Sequence, residues 1–427
     1  MATSTNSLVR KCLFASLAIA ACGLAPAEEI SYEFGGHVKT RLLADDFPAD
    51  SIFSELVGST ALDLEADARL NIAASKDAWS FDAQWQLFTG KGDRIELSRL
   101  LPTGELSFAD TVPTDDRRLM DLTDNIRDKG DTRVLHRLDR LSAVYALDNI
   151  VVRVGRQAIS WGNGLIFSPM DIVNPFDPTA VDTEYKVGDD MVYGQYLFSD
   201  GSDLQAAHVF RRNILSGQND SKYATSAVKY HAISTDSEYD LLIAKSYDET
   251  ILGFGGNRNI GGAVWRADAV VSDTDSGNKF QLVTNLSYSW VLAGKNMSGI
   301  IEYYFNGFGQ RANSYDPVSL EQNPGLIRRI ERGEIFTIGR NYLAGGVLVE
   351  MNPLWTLTPN LFTNLDDGSA LLQLTTRYSL GDNSDVLAAI NLPLGPSGTE
   401  FGGVSAAQEG TYLSTNASLF AQLAWYF

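Results

Sequence analysis

Leu62, Leu64, Ala66, Ala68, Leu70, Ile72 and Ala74 fall on every second residue, and Asp63, Glu65, Asp67, Arg69 and Asn71 fill the places between them. A period of two puts the first set on one face of an extended strand and the second set on the other. Such a strand is longer than the ~5–6 residues usual in soluble sheets. One face is small and apolar, the other frankly charged. The apolar face needs a cover, and only two covers serve a long strand of this kind. One is a second apolar sheet, as in a sandwich; the other is lipid around a closed barrel.

The pattern recurs along the chain. Trp79, Phe81, Ala83, Trp85 and Leu87 oppose Ser80, Asp82, Gln84 and Gln86 as a hairpin partner. Phe280, Leu282, Thr284, Leu286, Tyr288 and Trp290 oppose Gln281, Asn285, Ser287 and Ser289. Leu372, Leu374, Thr376, Tyr378 and Leu380 alternate likewise, as do Val386, Ala388, Ile390, Leu392 and Leu394. Weaker examples lie near 30–43, 141–154, 191–198, 204–210, 223–233, 239–247, 260–271, 298–305 and 342–362, with Asp, Asn, Gly and Ser clusters between them that predict turns. Segments of roughly 10 residues with one apolar face are the mark of a transmembrane barrel. Lipid leaves no water to satisfy a free sheet edge, so only closed sheets persist there. At this point a soluble β-sandwich or β-helix stays open as the rival.

The last stretch weighs against that rival. Leu413, Thr415, Ala417, Leu419, Ala421, Leu423, Trp425 and Phe427 alternate with Ser414, Asn416, Ser418 and Gln422. Aromatic residues at such a strand's end suit a membrane interface. The pattern also resembles the insertion signal of Gram-negative outer-membrane proteins, which implies recognition by the barrel-assembly machinery. The expectation is an all-β, transmembrane antiparallel β-barrel of roughly 14–18 strands spanning 28–427, even in number as complete bacterial barrels usually are. Its surroundings would be outer-membrane lipid and lipopolysaccharide.

The beginning of the chain agrees. Arg10 and Lys11 precede an apolar run from Leu13 to Leu24 and then Ala25-Pro26-Ala27, the form of a secretory signal peptide over 1–27. Its apolar core is too short to span a membrane. Cleavage after Ala27 would remove Cys12 and Cys22, leaving a chain without disulfides. Ile19-Ala20-Ala21-Cys22 offers an alternative, a lipoprotein-type cleavage that leaves Cys22 lipidated. Without Arg10 and Lys11 the chain keeps 32 Lys+Arg against 53 Asp+Glu, a net charge of −21. Such acidity excludes a basic nucleic-acid footprint.

Three long segments interrupt the strands. The charged segment 99–137 is expected to be an external loop with a helical turn. In 309–338, Leu326, Ile327 and Ile330 beside Arg328, Arg329 and Arg332 predict a short amphipathic helix, its basic face solvated or turned to lipopolysaccharide phosphates or a pore. The third, 155–190, carries three prolines, which rule out a regular strand or long helix, and too many apolar residues for a solvated linker. A long irregular segment with its own apolar residues predicts a packed insertion, here folded into the lumen. Trp161, Phe167, Phe176 and Tyr185 would pack on the inner wall. Arg153 and Gln157 would face the lumen from the preceding strand, with Arg156 near the lipid interface. Asp171, Asp177, Glu184, Lys186, Asp189 and Asp190 would project into a narrow aqueous space and set which solutes pass. Equally, they would pair with lumen arginines such as Arg377 and hold the insertion in place. With Trp161 and Asn174, the constriction set is Arg153, Gln157, Trp161, Asp171, Asn174, Asp177, Lys186, Asp189 and Asp190. If its acids face the pore, the pore should prefer cations.

No catalytic constellation, metal site or cofactor motif is expected. His37, His136, His208 and His231 have no metal-ligand spacing, and no nucleophile turn or phosphate-cradling loop appears. Asp273-Thr274-Asp275-Ser276-Gly277-Asn278 is faintly like a calcium loop but lacks the later ligands, and predicts a hairpin turn.

The run Gly155-Arg156-Gln157, Trp161-Gly162, Phe167, Asp171, Asn174-Pro175 and Asp177-Pro178 resembles a signature of porin-like outer-membrane barrels. It is distantly similar to alginate-export-type barrels, which share a Gly-Arg-Gln run followed by an aromatic-Gly pair. The match covers about forty residues in a chain otherwise carried by the barrel pattern (155–178 and its flanks). Alginate exporters line the lumen with arginines, and no such set is evident in this sequence. The resemblance implies an outer-membrane channel or exporter, reached through the periplasm, and no particular substrate. Two classes follow: a porin-like channel for small or amphiphilic solutes, or a non-conducting barrel serving a periplasmic transport or export partner. A lumen or rim hydrolase is a third.

Overall fold

The computed structural model describes residues 30–100 and 114–427. The signal-peptide and Cys22 expectations lie outside the described residues. The strands are β1 (Ser31–Asp46), β2 (Thr60–Lys76), β3 (Trp79–Gly92), β4 (Thr123–Lys129), β5 (Thr132–Leu147), β6 (Ile150–Gln157) and β7 (Asp189–Leu197). They continue as β8 (Asp203–Val209), β9 (Thr225–Ile233), β10 (Ser237–Ser246), β11 (Glu249–Ile260), β12 (Ala263–Thr274), β13 (Gly277–Leu292) and β14 (Lys295–Asn306). The last are β15 (Asn341–Asn352), β16 (Trp355–Asn364), β17 (Ala370–Gly381), β18 (Ser384–Leu394), β19 (Val404–Ser405), β20 (Tyr412–Leu413) and β21 (Ala417–Tyr426). Short helices α1 (Ile52–Val57), α2 (Asp93–Leu100), α3 (Pro317–Glu321) and α4 (Pro324–Glu331) sit in the loops.

Among the described residues, 18 strands close an antiparallel barrel, the upper end of the expected range. Strand β1 pairs with β2 on one side and with β21 on the other, from His37 opposite Tyr426 to Asp46 opposite Ala417. Gly36 and Phe427 exchange both backbone hydrogen bonds at the foot of this seam. A Cβ on Gly36 would meet the Arg69 carbonyl oxygen at 2.1 Å, so a bare backbone is needed there. Leu62 and Leu64 face outward while Asp63, Glu65, Asp67 and Arg69 are buried within, as the alternation predicts.

One end of the barrel is made of tight turns, among them Asp77-Ala78, Asp148-Asn149, Gly261-Gly262 and Ala293-Gly294. Ala293 and Gly294 both have positive φ, the backbone that matches strand twist in a two-residue hairpin. Outward aromatics gather at this turn end: Trp79 on Tyr145, Tyr196 on Phe198, Tyr288 on Trp290 and Trp425 on Phe427. Such a girdle marks a membrane–water boundary. The opposite, loop end carries the segments 47–59, 158–188, 307–340 and 395–416.

The structure corrects several boundaries. The alternations near 141–154 and 342–362 are each two strands, split at Asp148-Asn149 and Pro353-Leu354. Strand β11 went unseen because Gly253, Gly255 and Gly256 blank out its pattern. The end of the expected 99–137 loop is the hairpin of β4 and β5, and its beginning completes α2. The final barrel strand starts at Ala417; Leu413 belongs to the small β19–β20 pair, and Ser414 is buried in the loop. Asp275-Ser276 is a hairpin turn, as expected. Helix α4 buries Leu326 against Phe308 and Tyr315. Its Arg329 points inward, over the Phe308 ring and onto Glu249 and Glu334, while Arg328 stays exposed.

Candidate functional site: an insertion in the lumen and the passage beside it

The wall itself releases the insertion. Strands β6 and β7 hold 8 and 9 residues, whereas β5 beside them holds 16. The chain therefore leaves the ladder part-way up, after the pair Gln157–Asp189. The notch above is filled by β4, which pairs with the far half of β5, and by 114–122, bridged to Arg211 through Arg118.

Residues 158–173 then sweep along the inner wall. Ile159, Trp161, Met170 and Val173 bury themselves against Met191, Val209, Leu242, Ile251 and Val270, reaching from β7 to β12. Trp161 Nε1 donates to Gln205 Oε1 at 2.7 Å, which satisfies the indole in this apolar setting. Two wall carboxylates catch the backbone. Asp268 accepts from the Asn163 and Gly164 amides and from Asn163 Nδ2, and Glu302 accepts from three successive amides, Leu165, Ile166 and Phe167. Both carboxylates are fully buried. Phe167 stacks on Tyr304, centroids 4.7 Å apart. The glycines that hid β11 make this approach possible: a Cβ on Gly255 would strike Asp268 Oδ1 at 2.0 Å and Asn163 Nδ2 at 3.0 Å.

The stem is closed by charge. Lys186 Nζ donates to Asp171 Oδ2, the Ile159 carbonyl and Ser160 Oγ, tying both ends of the insertion together. Burial pushes the Asp171 carboxyl up to about 6 against the pull of Lys186, and lowers the Lys186 ammonium. Asp189 Oδ2 lies 2.7 Å from Arg211 Nη2, and Asp190 accepts from Arg156 Nε at 2.9 Å. Arg156 also reaches Asp115 at 2.8 Å and is 2 % exposed, so it sits inside a buried ion network and not at the lipid interface. Arg377, expected among the insertion's partners, pairs instead with Asp385 at 2.8 Å on the next strand.

The second arm crosses to the other side of the lumen. The Thr179 carbonyl accepts from Gln373 on β17, and Asp177 accepts from the Thr179 amide and hydroxyl. Lys39 Nζ lies 2.7 Å from both Asp182 and Glu184. The Arg69 guanidinium lies 4.1 Å from the Tyr185 ring centroid, and His37 stands 5.2 Å away. Between this arm and β1, β2, β3, β5, β18 and β21 lies a cavity of about 430 Å³. Arg41, Arg69, Arg94 and Arg137 line it together with Glu65, Asp67, Asp177 and Asp182. Several of the cations are held from behind or beside: Arg94 is bidentate on Asp45, and Arg69 and Arg137 share Asp139.

Of the nine sequence-predicted residues, only Asp177 lines this cavity. Trp161, Asp171 and Lys186 are packed in the stem, Asp189 and Asp190 are buried at the start of β7, and Gln157 bonds to the Arg153 and Met191 carbonyls. Arg153 lies 6.0 Å from the Tyr193 ring, and Asn174 adopts positive φ with Nδ2 directed at the Val187 carbonyl. Phe176 is exposed rather than packed. The acids at 171, 189 and 190 thus do not project into open space. The cationic set was missed because its members are far apart in sequence, although the charged face of β2 was legible.

No sequence family matches the chain, and no curated protein does. Solved structures do match. OccAB4 of Acinetobacter baumannii is 8% identical at a TM-score of 0.51, covering 94% of this chain and 100% of that one. OccAB1 of the same organism is 10% identical at a TM-score of 0.51, covering 93% and 96%. OmpT, an outer membrane protein of Vibrio cholerae, is 9% identical at 0.39, covering 94% and 100%. The likeness is one of fold, and the narrower similarity to alginate-export-type barrels finds no counterpart among these matches. The chain has the fold of the outer-membrane β-barrels.

Proposed function

We propose that this chain is a passive channel of the bacterial outer membrane, passing small or amphiphilic solutes beside a lumen insertion that sets the constriction. The observation that carries it is the cavity of about 430 Å³, whose walls hold charged groups from β1, β2, α2 and β5 and from one arm of the insertion. Charged side chains lining a confined aqueous space are the means by which pores select. The long loops would face outside and the tight turns the periplasm. Lipid and lipopolysaccharide would surround the barrel, and the role assigns no catalytic residue, metal or cofactor to the chain. Purified protein refolded into a planar bilayer should give discrete current steps. Silence from a barrel shown to be folded would overturn the channel and favour the non-conducting partner of a transport system.

A further inference from the structure

The contacts at the tip of the insertion run across the passage. Lys39 Nζ on β1 lies 2.7 Å from Asp182 Oδ2 and from Glu184 Oε2. Arg41 on the same strand donates to that Asp182 oxygen at 3.2 Å. Tyr426 Oη on β21 donates to Glu184 Oε2 at 2.9 Å. Lys39 stands opposite Ala424, near the end of β21, so these contacts lie toward the turn end of the cavity.

The tip and the stem are held in different ways. The stem is buried among apolar residues and caught by Asp268 and Glu302. The tip is held by ion pairs from the buried Lys39 to two partly open acids, Asp182 at 16% and Glu184 at 31% side-chain exposure, and by Tyr185 beside Arg69 and His37. Between them, 174–181 is tied down by few bonds, chiefly Asn174 to Val187, Asp177 to Thr179 and Thr179 to Gln373. Ion pairs open to water on their acidic side are screened by salt, though less than fully exposed ones. Release of the tip would leave Lys39 facing an aqueous passage rather than a dry core. We propose that residues 182–185 form an ionic latch across the passage, with Lys39 as its positioning residue: docked, the tip narrows the channel, and released, it widens it. The proposal deepens the channel reading and rests on it for its functional meaning.

The test uses four full-length proteins: the parent, Lys39→Met, Asp182→Asn with Glu184→Gln, and the charge-conserving Lys39→Arg. Each carries a spin label at Thr183→Cys, with Cys12 and Cys22, the sequence's two cysteines, replaced by serine. Heat-modifiable migration on a gel confirms each barrel. The label should be slow in the parent and in Lys39→Arg and fast in the other two. Those two should also lose the small-conductance level in bilayers and show a several-fold larger one, and molar salt should bring the parent toward them. Label motion that follows this pattern while every protein is silent leaves the latch standing and overturns the channel. Equal label motion in all four overturns the latch, whatever the currents show.

Discussion

Buried carboxylates are costly unless fully bonded, and Glu302 and Asp268 meet that demand with backbone amides of the insertion. Glu302→Ala would strand three amides inside the lumen, and charged hydrogen bonds of this kind are worth ~1.5–3 kcal/mol each. The expected result is an intact barrel in which 158–173 becomes open to protease, read by limited digestion and mass spectrometry. Asp171→Asn tests the stem. Removing one partner of a buried pair typically costs about 3–5 kcal/mol, so this variant should melt earlier while its reversal potential stays unchanged. A shift in selectivity without loss of stability would place Asp171 in the pore after all.

Elements show how the wall and its insertion were shaped together. Strand β11 gives up side chains at Gly253 and Gly255, and Met170 and Asn163 take the space. Gly255→Val should unseat Asn163 and raise conductance fluctuations without altering the β signal in circular dichroism. The 395–416 loop offers a second case. Burial pushes the Glu400 carboxyl up to about 7, although Tyr342, the Ile338 amide and Asn364 all donate to it. Asp367, whose carboxylate accepts from the Glu400 amide, adds to the upward push. A carboxyl whose docked pKa lies above its ordinary value favours the docked loop when protonated. Docking should therefore be firmest below the ordinary value of 4.5, weaken as pH rises toward 7 and level off beyond. Hydrogen exchange in 395–416 should report this, and Glu400→Gln should flatten the pH dependence.

At the scale of the whole molecule, the outward face is an exposed apolar wall, which the channel reading sets against lipid. Leu241 lies at the fifth of ten residues of β10 and points outward. Arginine on a lipid face near the bilayer midplane costs roughly 2–4 kcal/mol. Leu241→Arg should lower unfolding stability in lipid vesicles by about that much, and much less in a soluble-loop position such as Leu215. Equal losses at the two sites would argue against a lipid-facing wall.

Alternation between Leu62 and Ala74, and again through Leu419, Leu423 and Trp425, was enough to determine long two-faced strands and which of their residues face out, because a period of two is a local property that each strand carries alone. The insertion was legible for the same kind of reason: its prolines forbid the ladder locally, and its aromatics forbid exposure. What the insertion touches was not local. Lys186 and Asp190, four residues apart in sequence, read as one acidic–basic run, yet Asp190 is bound to Arg156 and Lys186 to Asp171. Arg41, Arg69, Arg94 and Arg137 come from β1, β2, α2 and β5, and only barrel closure places them around one cavity. Which acids are free and which are spent on ion pairs depends on distances across the lumen, and those are decided by strand register and by how far the insertion reaches, which no single stretch of the sequence encodes.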